Sequence, residues 1–177
     1  MPRKTKEIVI VPSKDIANVE QFITQAIETK LPVETMERLF ALRKEVKAEV
    51  AKEAFVVAMS NFQANCPIIK KNKDVREKPE KGGKVRYSYA SLDSIVSQVK
   101  GVLGKAGLSY TTTVINETGF IIAVCKITHI LGHSEESSFK IPIDTEGYMS
   151  APQKYASALT FAKRYAFCNA LGILSSE

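Results

Sequence analysis

The chain has 177 residues, of which 45% are hydrophobic and 25% charged, and this composition is typical of one globular domain with a sizeable core. No apolar run approaches the roughly 20 residues that span a bilayer, and the apolar stretch near the N-terminus is too short for a signal peptide. The three widely spaced cysteines predict reduced thiols buried as small core residues, so we expect a cytoplasmic protein without membrane segments.

The net charge of +6 is concentrated in one segment. Between Cys66 and Ala90 stand eight basic and three acidic residues, so this segment carries +5 and the rest of the chain about +1. Charge gathered in this way indicates a polyanionic partner, whereas a solubilising coat of charge would be spread over the whole surface.

Two helices are predicted before the basic segment. Ser13 is placed to cap the first, over residues 14–30, and Pro32 suits the first turn of the second, over residues 33–64. The apolar face predicted for the first helix consists of Ile16, Val19, Ile23 and Ile27. The stripe predicted for the second recurs at three- and four-residue steps and consists of Leu39, Leu42, Val46, Val50, Ala54 and Val57.

The basic segment predicts a β-hairpin with a long loop. Pro67 ends the second helix, because proline disfavours helical geometry in the residue before it. Two short strands follow, over residues 68–72 and 85–89, and Pro79 and Gly82-Gly83 disfavour regular structure between them. A long loop inside a compact domain is usually functional, so this hairpin is the first candidate for contact with a polyanion.

The C-terminal half predicts a helix followed by three strands. The helix begins at Ser91 or Asp93 and runs to about Lys105, where Gly107 is placed to terminate it. The three strands cover residues 108–115, 120–130 and 134–143. Their connections are short, which favours an antiparallel meander.

The last helix has clear signals at both ends. Ser150 and Gln153 have the spacing of a capping box, and Pro152 suits the first turn. The helix is predicted to run to Leu171, with Gly172 as its terminator.

The predicted fold class is α+β, because the strands cluster in the C-terminal half without a βαβ alternation. It consists of an antiparallel β-meander in a β-β-β-α core (residues 107–173), an additional basic β-hairpin (residues 66–90) and N-terminal helices. We expect residues 1–31 to form a helical arm and residues 32–177 to form the main domain.

The last helix is apolar nearly all round. A stripe of mostly small residues suits close packing against a sheet, and it consists of Tyr155, Leu159, Ala162, Ala166 and Ala170. Larger apolar residues lie well away from this stripe, namely Phe161, Phe167, Cys168 and Leu171. The helix therefore needs a second cover, and we expect another subunit to provide it.

Lys163 and Arg164 are exceptions on this helix, because charges seldom sit on a mostly buried element unless they are paired or face a cleft. One reading is that they extend to solvent or pair with Asp144 or Glu146. The other reading is that they face a polyanion. The residues alone leave both readings open.

The stretch Lys84-Val-Arg-Tyr-Ser-Tyr89 interleaves basic and aromatic side chains. Lysine and arginine attract phosphates, and exposed tyrosine rings stack on bases, so the stretch is typical of a sequence-tolerant single-strand site. The alternative is that Tyr87 and Tyr89, which share one strand face, are core residues.

Other chemistries are weakly supported by the sequence. His129 and His133 are four residues apart and Cys125 stands four residues earlier, but Gly132 predicts a turn between the histidines and no fourth ligand is spaced with them. Gly82-Gly83-Lys84 lacks the serine or threonine and the preceding strand of a phosphate-binding loop. We therefore predict a binding protein with no catalytic residues, no metal and no cofactor.

Two motifs resemble those of a known family. Tyr87-Ser-Tyr-Ala-Ser-Leu-Asp-Ser-Ile95, followed by Gly107-Leu108, resembles the central region of ERF-type (essential recombination function) phage single-strand annealing proteins. Ser157-Ala-Leu-Thr-Phe-Ala-Lys-Arg-Tyr-Ala166, continuing to Leu171-Gly172-Ile173, is similar to the closing helix of that family. The chain departs from the family pattern at Ala156, Phe161 and Lys163, where glycine, tyrosine and arginine are usual.

The resemblance implies an annealing domain over residues 32–177 whose β-β-β-α core is akin to that of eukaryotic recombination annealing proteins. It implies subunits assembled into rings or helical filaments, single-stranded DNA in a positively charged groove, no nucleotide cofactor, and a host or phage single-strand-binding protein as a further partner. The predicted DNA-binding residues are Lys70, Lys71, Lys73, Lys84, Arg86, Tyr87, Lys163 and Arg164. Two other functions stay open, a metal-dependent nuclease acting on single strands and a basic RNA-binding module.

Overall fold

The computed structural model describes residues 14–77, 83–144 and 149–174. The described elements are the helices α1 (Lys14–Glu28), α2 (Val33–Asn65), α3 (Leu92–Lys105) and α4 (Ala151–Leu171), and the strands β1 (Lys73–Arg76), β2 (Val85–Tyr89), β3 (Leu108–Glu117), β4 (Phe120–His129) and β5 (Ser134–Pro142). The predicted α+β class is confirmed, and element ends generally agree to within about two residues, with β1 as the main exception. The predicted cap Ser13 and the hairpin loop at 78–82 lie outside the described residues.

The three C-terminal strands form one antiparallel sheet in the order β3-β4-β5, as the short turns predict. Side chains of a strand alternate between the two sheet faces, and the central strand β4 shows this alternation clearly. Its odd-numbered residues from Ile121 to Ile127 are fully buried, whereas its even-numbered residues are half-buried or exposed. One face of the sheet therefore carries the core, and the other is open.

Helix α4 packs across this buried face, against β4 and β5. The contact is close because Ala158, Ala162 and Ala166, one turn apart, are all buried and present only a methyl group each. The predicted small-residue stripe is thus confirmed at Ala162 and Ala166.

The larger apolar residues at the end of α4 are covered by the chain itself. The ring of Phe167 packs edge-on against that of Tyr110 in β3, with 4.7 Å between the ring centroids. Leu171 is fully buried, and its carbonyl accepts a hydrogen bond from Nε2 of Gln63 at the end of α2 (3.4 Å). Within the chain, β3 and α2 therefore contact this end of α4, and the further subunit expected as a second cover stays a prediction.

The buried face of α2 differs from the predicted stripe. In its second half the buried residues are Ala51, Phe55, Ala58 and Phe62, whereas Val57 is 60% exposed. One residue on a helix is a rotation of about 100°. The predicted stripe is therefore wrong in this half by about that rotation. The reason is that the first half of α2 packs on α1, whereas the second half packs on the core with a different face.

Helix α1 packs on the first half of α2, and Arg43 Nε donates a hydrogen bond to Glu20 Oε1 across this contact (2.6 Å). Val19 and Ile23 are buried as predicted. Ile27 is 60% exposed, contrary to the predicted face, and Ala26 is buried at the end of the contact instead.

The first hairpin strand lies later than predicted, at Lys73–Arg76 instead of residues 68–72. The earlier residues are tied to α3: the Lys70 N–H donates to Gln98 Oε1 (2.9 Å), and Gln98 Nε2 donates to the Lys70 carbonyl (3.2 Å). These side-chain bonds satisfy backbone groups that a strand partner would otherwise take. Backbone bonding to β2 therefore begins only at Asn72, whose N–H donates to the Tyr89 carbonyl (3.1 Å).

The predicted signals at both ends of α4 are confirmed. The Ser150 N–H donates to Oε1 of Gln153 (3.0 Å), which completes the capping box, and Gly172 ends the helix at a φ of 66°. Positive φ favours glycine at this position. A Cβ at Gly172 would also lie 2.8 Å from Nε2 of Gln63.

Replacing this terminal glycine should destabilise the fold. We expect Gly172→Ala to lower the free energy of unfolding by more than about 1 kcal/mol, because alanine is strained at positive φ and crowds Gln63. The matched control is Gly101→Ala, inside α3, where no atom lies within 4 Å of the added Cβ. There alanine should raise the free energy by roughly 0.5–1 kcal/mol. Urea unfolding measures whether each variant lowers or raises the free energy of unfolding. Equal effects in the two variants would contradict the role given to Gly172.

None of the described helices has an apolar stretch that could span a lipid bilayer.

Candidate nucleic-acid interface

The β1–β2 hairpin presents different side chains on its two faces. In the antiparallel register Lys73 lies opposite Tyr89 and Val75 opposite Tyr87, and directly paired residues share a face. Arg86 stands where this register is irregular, since Val75 pairs with Tyr87 and Arg76 with Val85, and it is exposed. The hairpin thus has a face rich in aromatic rings, which also carries the exposed Lys73, and a further exposed cation at the irregularity.

A groove separates the aromatic face of the hairpin from helix α4, with a cavity volume of about 840 Å³. Pockets of roughly 300–1,000 Å³ hold small organic molecules. The hairpin side of the groove is formed by Val75, Tyr87 and Tyr89. Among the described residues, none of those that line the groove is acidic.

The helix side of the groove is formed by Ser157, Thr160, Phe161 and Arg164. Phe161 stands four residues after Ser157 and three before Arg164, and Thr160 stands three after Ser157 and four before Arg164, which places all four on one face of α4. The buried alanines lie on the opposite face, against the sheet. Packing of the small-residue face on the sheet therefore sets the direction in which the groove residues point.

Arg164 joins the two sides of the groove. Its Nη1 donates a hydrogen bond to the carbonyl of Ala90 just after β2 (3.3 Å). Its guanidinium carbon lies 4.7 Å from the ring centroid of Tyr89 and 5.1 Å from those of Phe161 and Tyr165. Cation–π contacts of this kind stabilise by about 0.5–2 kcal/mol each. This arrangement explains how a charged residue is accommodated on a mostly buried helix.

An aromatic cluster fixes the helix side of the groove on the sheet. The ring of Tyr165 stacks on Phe139 of β5 with 5.0 Å between centroids, and it lies 4.4 Å from the ring of Phe161. Tyr165 thus packs between the helix and the sheet, and it also touches the Arg164 guanidinium. Packed rings of this kind hold a site rigidly.

The two hairpin tyrosines have different surroundings, so each reading made from the sequence fits one of them. Tyr89 is half-buried beneath the Arg164 guanidinium. Tyr87 is 51% exposed, and its ring centroid lies 6.4 Å from that of Tyr89. Tyr87 is therefore the ring at the mouth of the groove that remains accessible to a ligand.

The predicted basic residues lie around the groove at different places. Lys84 and Arg86 are exposed at the start of β2, and Lys73 is exposed on the aromatic face of β1. Lys70 and Lys71 are exposed before β1, in the segment tied to α3. None of these five makes an ion pair within the described parts of the chain. Their charges are available to a polyanion.

Lys163 and Arg164 point in different directions, because neighbouring residues on an α-helix are about 100° apart. Arg164 lines the groove, whereas Lys163 is half-buried and does not line it. Lys163 makes no ion pair with Asp144 or any other residue in the described ranges, and Glu146 lies outside them.

The cysteines and histidines are placed as packing residues. Burial raises the pKa of the Cys125 thiol to about 11 and also raises the pKa of Cys168, which keeps both protonated at neutral pH. Nδ1 of His129 accepts a hydrogen bond from the Leu131 N–H (3.3 Å), and burial lowers the pKa of His129. His133 packs edge-on against Phe55 with 5.1 Å between ring centroids. Cys66 is only half-buried, contrary to the prediction.

The turn predicted between the histidines is confirmed, since Gly132 has a φ of 96° just before β5. Among the residues that the structure describes, no three His, Cys, Asp or Glu side chains are grouped so that they could hold a metal ion.

Sequence reasoning missed Ser157, Thr160 and Phe161 as groove residues. Their signal was present, because they share a helical face with Arg164 at three- and four-residue steps. The link from Ala90 to Arg164 carried no such signal, since it depends on a contact between residues 74 positions apart.

The fold and the groove define a class of protein. A basic hairpin beside a groove of exposed rings and hydroxyls, with no acidic side chain among the described lining residues, is typical of α+β proteins that bind nucleic acid. The family model of the ERF superfamily matches residues 55–177, and the chain belongs to this family. Membership associates it with DNA recombination and strand annealing in phage systems. Comparisons with curated proteins and with solved structures returned no match.

The family match begins at Phe55, which is the point where α2 enters the core. The matched part therefore contains the end of α2, the hairpin, the three-stranded sheet and α4. Helix α1 and residues 33–54 of α2 lie outside it.

Proposed function

We propose that this protein binds single-stranded DNA without sequence preference and promotes the annealing of complementary strands in homologous recombination, without ATP and without making or breaking a covalent bond. The observation that carries this proposal is the set of unpaired cations on the hairpin beside a groove with exposed rings. Membership of the ERF superfamily supports the same function.

The mechanism rests on electrostatics and positioning. Two complementary strands repel each other through their phosphates, and each folds on itself. Cations placed along a bound strand neutralise its phosphates and release counterions, which favours an extended strand. Contacts to the backbone carry no sequence information, so any strand is accepted. A second strand then meets less repulsion and finds its complement faster.

We propose that eight residues form the DNA-binding site. Tyr87 offers a stacking surface, and Arg164 holds the hairpin in place from the wall of the groove. The others supply positive charge, namely Lys70, Lys71, Lys73, Lys84, Arg86 and Lys163. None of the eight is proposed to be catalytic.

We further propose that several copies assemble into a ring or helical filament in the cytoplasm, with a single-strand-binding protein of host or phage as an additional partner. One hairpin offers only a few cations, whereas a long strand requires many. Repetition of the hairpin along an assembly would give a continuous basic track.

The salt dependence of binding tests the proposed contact. For single strands the slope of log K against log salt is about −0.7 for each phosphate neutralised. The five cations of and before the hairpin (Lys70, Lys71, Lys73, Lys84 and Arg86) would then give a slope of up to about −3.5 per subunit. Fluorescence anisotropy with a labelled oligonucleotide between 50 and 200 mM salt measures this slope, whose magnitude is about 0.7 times the number of phosphate contacts.

A slope near zero would contradict the proposal. When two labelled complementary strands are mixed with the protein, their annealing should proceed without ATP. Preference for matched RNA over DNA would favour an RNA-binding module. Cleavage of the strand on addition of Mg²⁺ or Mn²⁺ would favour a nuclease.

A further inference from the structure

We propose that the groove between the hairpin and α4 receives nucleobases of the bound strand, while the phosphates lie against the exposed cations. This inference rests on the proposed function, since it assigns the groove within a single-strand site. The groove would bind bases, whereas the basic residues around it would bind phosphates.

The first argument is the chemistry of the groove walls. Tyr87 is 51% exposed on the hairpin side, and Phe161, which packs against Tyr165 and the Arg164 guanidinium, is still 37% exposed on the helix side. Exposed aromatic rings stack on the flat faces of bases and have no comparable affinity for phosphate. Walls of this kind favour a base.

The second argument is that the single cation among the described groove residues is already engaged. The guanidinium of Arg164 donates to the Ala90 carbonyl and lies over three rings. The unpaired cations Lys84 and Arg86 stand on the hairpin outside the groove. Phosphates are therefore drawn to these cations outside the groove, and the aromatic groove remains for the bases.

The third argument concerns polar groups that suit the edges of bases. Ser88, Ser157 and Thr160 line the groove. Ser88 Oγ already donates a hydrogen bond to Asp74 Oδ1 (2.7 Å), and Thr160 Oγ1 donates to the Ala156 carbonyl (2.8 Å). The hydroxyl oxygens of Ser157 and Thr160 keep lone pairs that can accept hydrogen bonds from the amino groups of a base. A groove with hydroxyls and rings but no carboxylate among the described lining residues accepts bases without selecting among them.

The test compares two ligands of equal length and charge, oligo(dT) and an abasic oligomer with the same number of phosphates. Stacking contributes roughly a fivefold to 150-fold gain in affinity per base, so the wild-type protein should bind oligo(dT) at least about fivefold more tightly. Both ligands are measured by competition anisotropy at one salt concentration.

A variant that fills the groove without changing charge completes the design. Ser157→Leu places an aliphatic side chain, which cannot stack on a base, on the exposed helix side of the groove, and Thr160→Leu is an alternative should the first fail to fold. Each should lower the affinity for oligo(dT) towards that for the abasic oligomer and leave abasic binding unchanged. Ser97→Leu is the matched control, because Ser97 is an exposed helical serine outside the groove.

The outcomes separate the two proposals. Equal affinity of the wild-type protein for both ligands would overturn the base-binding inference and leave the proposed function standing. Loss of binding to both ligands in the filled variants would also overturn it, because the backbone would then occupy the groove. Absence of binding to either ligand by the wild-type protein would overturn the proposed function, and the inference with it.

Discussion

Reversing two hairpin charges, in Lys84→Glu/Arg86→Glu, should abolish annealing while leaving the fold intact. Both side chains are exposed, and neither makes an ion pair within the described ranges, so the core does not depend on them. The change lowers the net charge of residues 66–90 from +5 to +1.

The expected size follows from counterion release. At 0.1 M salt, two phosphate contacts to a single strand contribute about 25-fold in affinity, because each contributes the salt concentration to the power of about −0.7. The two new carboxylates add repulsion, and each subunit of an assembly repeats the loss. We therefore expect single-strand affinity to fall by more than about 25-fold and annealing to fall to the rate of the DNA alone.

The matched control is Lys44→Glu/Lys52→Glu, which makes the same change in net charge on exposed positions of α2. It should anneal nearly as the wild type does, because these positions lie outside the hairpin. Annealing is followed by the fluorescence of two labelled complementary strands, and circular dichroism shows that both variants fold. Normal annealing by Lys84→Glu/Arg86→Glu would remove the hairpin from the site.

The second large effect is expected at Arg164. Replacing it in Arg164→Met removes the bond to the Ala90 carbonyl and the contacts with three rings, so the hairpin loses its link to α4. We expect the free energy of unfolding to fall by about 1–3 kcal/mol and single-strand affinity to fall by about tenfold or more. Amide hydrogen exchange of residues 85–89 should become faster.

Arg164→Lys distinguishes this positioning role from a direct contact with phosphate. Lysine keeps the charge, but its compact ammonium group cannot cover three rings or offer the planar donors of a guanidinium. Under the positioning role it should resemble Arg164→Met, and neither variant should change the salt slope of binding. A slope that becomes shallower by about 0.7 in Arg164→Met, with unchanged amide exchange of the hairpin, would instead show a direct phosphate contact.

Most of the fold could be predicted from the sequence, because its signals are local. The capping box at Ser150, the terminal Gly172 and the short turns around Gly119 and Gly132 each act within a few residues. Those signals set the order and the ends of the C-terminal strands and of α4.

The parts that could not be predicted depend on contacts between distant residues. The first hairpin strand begins after Asn72 because Gln98 of α3 takes the backbone groups of Lys70. The buried face of α2 changes along its length because α1 and the core each select a different face. Periodicity within one helix cannot show which partner each half will meet.

The candidate site could likewise be predicted only in the parts that depend on local sequence. The composition of residues 66–90 located the charge, whereas the sequence left open whether Tyr87, next to Arg86, is an exposed ring or a core residue, and the structure has it 51% exposed. The groove itself needed the contact between Arg164 and the end of β2, which brings together two segments 74 residues apart. A search for polar and aromatic residues along one face of α4 would have found its helix side.

Helix α2 runs without interruption from Val33 to Asn65, a length of about 50 Å, and the family match begins partway along it, at Phe55. One continuous helix, α2, therefore belongs both to the core and to the contact with α1. Helix α1 cannot move independently of the core. Each residue inserted before Phe55 would advance the N-terminal helices by about 1.5 Å and turn them by about 100° about the rod. The length of α2 thus determines both the distance and the orientation of α1 relative to the core.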